Sequence, residues 1–286
     1  MSRTRRTVRI HGMNVTLRWL ALALVAGATG CDAAATDPGA ADPGRVEVQV
    51  GGGIAGADYA YRVERGAVTG VTCRSLCTFA AGDTLLVLTP AQRGALAEAV
   101  ERSGLPAWSG PTDFGTQCCD QFEYRVSWSA NGRERTFTGS DGALPAPLRE
   151  LVRVLQLMQR GIPPLVLSQA RGLAGFTADA LTLSDARADG GLLVVDASWS
   201  GGCVRHDVDA VVWTGWMESH PVQVGVSLAH DAHGDACKAL VQRQLRFDLE
   251  PLRRAYAEAY GSGPGTLVMR LGVASGGPIR SVPYSF

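Results

Sequence analysis

Lysine is almost missing from this chain: Lys238 is the only one, and every other fixed cation is an arginine. The formal charge is zero, with 27 basic and 27 acidic residues, and no run of basic residues in the body of the chain could release phosphate counterions. That excludes the electrostatic footprint of a nucleic-acid binder. Long apolar runs are missing too. The longest leader-type stretch, Trp19 to Ala28, has ten residues, short of the ~18 or more that a membrane-spanning helix needs. The chain also lacks a Gly-x-Ser-x-Gly elbow, a His-Glu-x-x-His pair and a phosphate-cradling glycine loop, so the motif-bearing hydrolases and nucleotide enzymes have no foothold. The expectation is a protein that is not an enzyme and carries no cofactor.

What is present starts with an address. Arg3, Arg5, Arg6, Arg9 and Arg18 precede the apolar stretch, and Ala28-Thr29-Gly30 stand directly before Cys31. This order resembles a bacterial lipoprotein signal, with Ala28 where leucine is commonest. The resemblance implies removal of residues 1–30 and diacylation of the Cys31 thiol, holding the chain on a membrane of the cell envelope, on its periplasmic or outer side. Each buried lipid CH₂ contributes roughly 0.8 kcal/mol to such an anchor. Thr4 to Arg9 also loosely resembles a twin-arginine export signal, with Met13 as a second possible start. Loss of the leader leaves 22 basic against 27 acidic residues, a net charge of −5. Residues 31–45, rich in Ala, Asp, Pro and Gly, read as a flexible tether.

Six further cysteines in an exported chain point to disulfides. Cys73, Cys77, Cys118 and Cys119 belong to the first half, where neighbours Cys118 and Cys119 each pair with one of the other two in an order left open. Cys203 and Cys237 are expected to form the third bridge, with a bridge between the two halves as the less economical alternative. The alternative for the first four is a metal site, which their C-x-x-x-C and C-C spacing does not favour.

Residues 46–160 read as one domain. Val46 to Val50 and Tyr59 to Val63 alternate around Gly51-Gly52-Gly53-Ile54-Ala55-Gly56, the pattern of a hairpin. Thr84 to Leu88 forms another strand, Thr89-Pro90 opens a helix through Leu96, Val100 and Leu105, and Asn131-Gly132 joins two more alternating runs. Pro145 and Pro147 introduce a last helix with Leu148, Leu151, Val152, Leu155 and Met158 at helical spacing. The fold class is α+β: a small antiparallel sheet with two helices on one face.

Val48-Gln49-Val50 with the glycine turn, and Pro145-Ala146-Pro147-Leu148-Arg149-Glu150-Leu151 after the Asp141-Gly142 turn, together resemble emfourin, a bacterial proteinaceous inhibitor of thermolysin-like metalloproteases. The resemblance implies an exported metalloprotease as partner. Gly51, Gly52, Gly53, Ile54, Ala55 and Gly56 are then the candidate inhibitory turn, since glycine lets a backbone approach a partner closely and a rigid turn limits the entropic cost of binding.

Residues 161–175, dense in Gly and Pro, read as a linker, and 176–286 as a mostly-β, sandwich-like domain with one helix running from Asp248-Pro251 to Gly261. Ser200 to Cys203 and His230 to Cys237 resemble segments of uncharacterised domains in other bacterial lipoproteins. A Cys203–Cys237 bridge would gather His206, Asp207, His230, Asp231, His233 and Asp235 in one patch. His206, His230, His233 and Asp235 are weak metal candidates there, against a reading in which short polar side chains simply cap turns. The functional expectation is a membrane-anchored metalloprotease inhibitor acting through the first domain. Its alternative is an envelope binding or structural module acting through the second.

Overall fold

Strict alternation in β1 (Arg45–Gly52) turns Val46, Val48 and Val50 to one face, and in the computed structural model all three are buried. The structure describes residues 42–53, 56–72, 82–115, 120–169 and 173–286. Cys31, Ile54, Ala55, Cys73, Cys77, Cys118 and Cys119 lie outside the described residues.

β1 is central in a six-stranded antiparallel sheet of order β4-β3-β2-β1-β5-β6, with β2 at Ala57–Glu64, β3 at Ala67–Thr72, β4 at Asp83–Val87, β5 at Phe122–Ala130 and β6 at Arg133–Ser140. Val48 stands opposite Tyr61 and Val126, and Val50 opposite Tyr59 and Tyr124. Helices α1 (Pro90–Arg102) and α2 (Ala146–Gln159) lay Leu96, Val100, Leu148, Leu151, Leu155 and Met158 onto that face. Burying each such side chain contributes roughly 1.5–3 kcal/mol. Asn131 and Gly132 both take positive φ, 53° and 72°, as a two-residue hairpin of primed type requires.

Thr89 caps α1. Its hydroxyl accepts from the Gln92 amide and the Gln92 side chain accepts from the Thr89 amide, a reciprocal capping box. The helix is shorter than its apolar spacing suggests: Gly104 turns left-handed (φ 71°) and Leu105 falls in a separate 3₁₀ turn. Strand β3 is an addition, because the Arg65-Gly66 turn before it lacks the Asn-Gly or Asp-Gly signature. At the other end, the last residues of the expected tether are packed, with the Trp128 indole donating to the Pro43 carbonyl at 2.9 Å.

The second lobe holds two sheets around one core. A five-stranded sheet runs β14-β13-β11-β10-β7, and a three-stranded one β12-β9-β8. Their ranges are β7 Val166–Ser168, β8 Thr182–Asp189, β9 Leu192–Gly201, β10 Asp207–Met217, β11 Val222–Asp231, β12 Ala239–Asp248, β13 Thr266–Val273 and β14 Arg280–Ser285. Leu193, Val195, Val212, Val226 and Met269 share the core with Leu252 of α3 (Glu250–Tyr260). The stretch expected as a linker contributes β7, paired in parallel with β10. Its prolines and glycines mask the apolar run Leu165-Val166-Leu167, and the Leu165 amide is anchored on the Asp248 carbonyl at 3.1 Å. β14 carries Pro283, which an edge strand tolerates.

The lobes are joined directly. Arg153 of α2 donates to Asp248 at 2.7 and 3.1 Å, Arg205 donates to the Val87 carbonyl at 2.8 Å, and Gln92 donates to the Val208 carbonyl at 3.2 Å. The described residues form one compact unit.

Candidate functional site

The glycine turn stands at the tip of the first lobe, where β1 is gripped from both sides. Gly52 pairs with Ala57 of β2 and with Phe122 of β5, and the Gly53 amide donates to the Gln121 carbonyl at 3.1 Å. Gly52 and Gly53 have φ of 83° and 70°, which L side chains rarely adopt. A Cβ on Gly53 would come within 3.0 Å of the Phe122 ring, so that ring lies across the turn, and Phe122 is still 40% exposed. Gly51 differs, with ordinary φ and only the Ala57 carbonyl at 3.9 Å from a built Cβ. Beneath the tip, the Gln156 amide of α2 donates to the Tyr124 hydroxyl at 3.1 Å. Phe122 escaped the sequence reading because it looked like one more core position in an alternating strand. Its exposure follows from lying beyond the last core pair, Val50 with Tyr124.

In the second lobe, Cys203 and Cys237 are joined by a disulfide. Asp235 lies between them, its Oδ2 accepting from the amides of Gly202, Cys203 and Val204 at 2.8–3.0 Å and its Oδ1 from that of Cys237 at 2.9 Å. The Cys237 and Val204 amides hold the Asp235 carboxyl well below the usual carboxylate range. A line of polar atoms then runs inward. Asp235 Oδ2 is 3.2 Å from His206 Nε2, His206 Nδ1 is 2.8 Å from His230 Nε2, and His230 Nδ1 is 3.0 Å from the Ala180 carbonyl. Trp199 stacks on His206 with ring centroids 5.7 Å apart.

Burial, and then the neighbouring His206 ring, push His230 below the ordinary histidine value.

Cys203, Asp235 and Cys237 also meet closely enough to suggest metal ligation. Both sulfurs are committed to the disulfide, and Asp235 Oδ2 already takes three amides. His206 and His230 turn their nitrogens to each other, and His233 stands apart, its Nε2 3.0 Å from Asp207 Oδ2. As arranged, these donors complete hydrogen bonds rather than converge on a vacant centre.

Between the lobes lies a cavity of about 460 Å³ lined by Ala95, Glu98, Arg102, Val166, Asp209 and Arg254 among others. Asp209 is 8% exposed, accepts from the Thr89 hydroxyl at 2.7 Å, and burial pushes its carboxyl up to about 6.

Fold and site together define a two-lobed, mostly-β α+β protein with a glycine-bearing strand end held from both sides on its first lobe and a disulfide-pinned polar chain in its second. The Emfourin family model matches residues 84–156, from β4 to α2, so the first lobe is similar to that family over roughly a quarter of the chain. The glycine turn precedes the matched stretch. No curated protein matches the chain. Solved structures similar to it include a NigD-like immunity protein from Bacteroides caccae, at 13% identity, covering 80% of this chain and 83% of that one, with a TM-score of 0.33. Another is a protein of unknown function from Bacteroides vulgatus, at 8% identity, covering 85% and 90%, with a TM-score of 0.32. At these values neither likeness bears on function.

Proposed function

We propose that this protein is an exported lipoprotein, held on a membrane by the lipid on Cys31, that inhibits a thermolysin-like metalloprotease through its first lobe and is not itself an enzyme. The observation that carries the reading is the Emfourin match to residues 84–156, which falls on the lobe with two helices over one face of an antiparallel sheet. The leader supports the anchor; among the described residues no helix is long and apolar enough to cross a membrane. The Gly51–Gly56 turn blocks the protease cleft sterically. Gly51 and Gly52, paired with both β2 and β5, lose little freedom on binding, which leaves more of the contact energy as affinity.

The test is a titration of non-lipidated residues 32–286 against a thermolysin-like metalloprotease and a subtilisin-like control, following peptide cleavage. Dose-dependent loss of the metalloprotease activity alone, with the protein uncut, supports the reading. Equal or no loss for both enzymes counts against it. The lobes are tested together because Thr89 and Arg153 of the first are partnered by Asp209 and Asp248 of the second.

A further inference from the structure

Phe122 is the one aromatic side chain of the described first lobe that stands more than a third exposed. Its backbone is held on both sides, paired with Gly52 in β1 and accepting at its carbonyl from the Asp141 amide at 3.4 Å. The ring lies across Gly53, where a built Cβ would stand 3.0 Å from it. An exposed ring carried on a backbone held from both sides presents apolar area at a defined place, as do the aromatic anchors that dominate protein interfaces.

The surroundings say what kind of surface it meets. Asp120 and Asp141 are both exposed and close to Phe122, the first two residues before it and the second donating its amide to the Phe122 carbonyl, while Asp58 and Glu123, in register with Gly51, alternate to the other face of the sheet. An apolar knob beside carboxylates complements an apolar pocket with a basic rim.

We infer that Phe122 is the anchor by which the tip engages its partner, inserting into an apolar, basic-rimmed pocket of an exported metalloprotease. This deepens the inhibitor reading and rests on it. Gly53 then serves the contact indirectly, by leaving room for the ring.

The experiment compares the non-lipidated mature chain with Phe122→Ala and Phe122→Leu in inhibition of a thermolysin-like metalloprotease, with thermal melts as the check on folding. The expected result is inhibition by the unaltered chain, at least tenfold weaker for Phe122→Ala at unchanged melting, and intermediate for Phe122→Leu. Phe122→Leu keeps an apolar side chain at the site and remains informative if Phe122→Ala melts early. Inhibition by the unaltered chain with both variants within twofold of it overturns the anchor and leaves the inhibitor reading standing. No inhibition by the unaltered chain overturns both.

Discussion

Asp209 is a carboxyl taken out of water at the contact between the lobes, with the Thr89 hydroxyl as its donor. Its value of about 6 in the folded chain lies above the ordinary 3.8, with burial the main cause. The stability it contributes is therefore fully present below the unfolded value and is lost as pH rises to about 6. Asp209→Asn should abolish that part of the pH dependence and stabilise the protein above pH 6 by up to about 3 kcal/mol. Urea denaturation at pH 5 and pH 7.5 measures it, and equal effects at both values would contradict the assignment. The side chains of the polar chain are all nameable in the sequence, in two short Cys- and Asp-bearing segments. Ala180, which supplies only a carbonyl, is not. Nor is the Thr89–Asp209 contact, since a hydrogen bond across 120 residues leaves no local pattern.

At the level of elements, the glycine turn separates two roles that one substitution would confuse. Gly53→Val forces a β-branched residue into positive φ and against the Phe122 ring, and should cost roughly 1–2 kcal/mol or more in stability. Gly51→Ala meets nothing closer than 3.9 Å and has ordinary φ, so its melting temperature should be unchanged and any loss of inhibition reports contact. Thermal melts of the two variants decide this, and equal destabilisation would contradict the geometry. The strands that alternate clearly, such as β1, β5, β9 and β11, were legible because one face of each is buried against a core. Those the sequence hid are polar, short or proline-bearing edge elements: β7 behind its prolines, β8 with its Asp-Ala-Arg-Ala run, and β14 around Pro283. Period-two reasoning depends on a dry face, and edges have little of one.

For the whole molecule, the joint between lobes is the feature least visible in sequence, because it is made of single long-range contacts. Arg153, 37% exposed at its side chain, bridges Glu150 and Asp248, the latter 3% exposed. Arg153→Ala leaves the Asp248 carboxylate buried without its main partner. The expected cost is roughly 2–4 kcal/mol, below that of a fully buried pair because Arg153 is partly in water. Urea unfolding followed by tryptophan fluorescence and far-ultraviolet dichroism should give coincident transitions for the unaltered chain and separated ones for the variant. Coincidence in both would mean that other contacts hold the lobes together.

Inhibition as proposed brings a metalloprotease against the tip of the first lobe. Hydrogen exchange on the non-lipidated mature chain, alone and with an excess of a catalytically dead thermolysin-like metalloprotease, reads that contact. Slowed exchange is expected from Gln49 to Tyr59 and from Gln121 to Tyr124, with β11 and β12 unchanged. Slowing confined to the second lobe, or none anywhere, would contradict it.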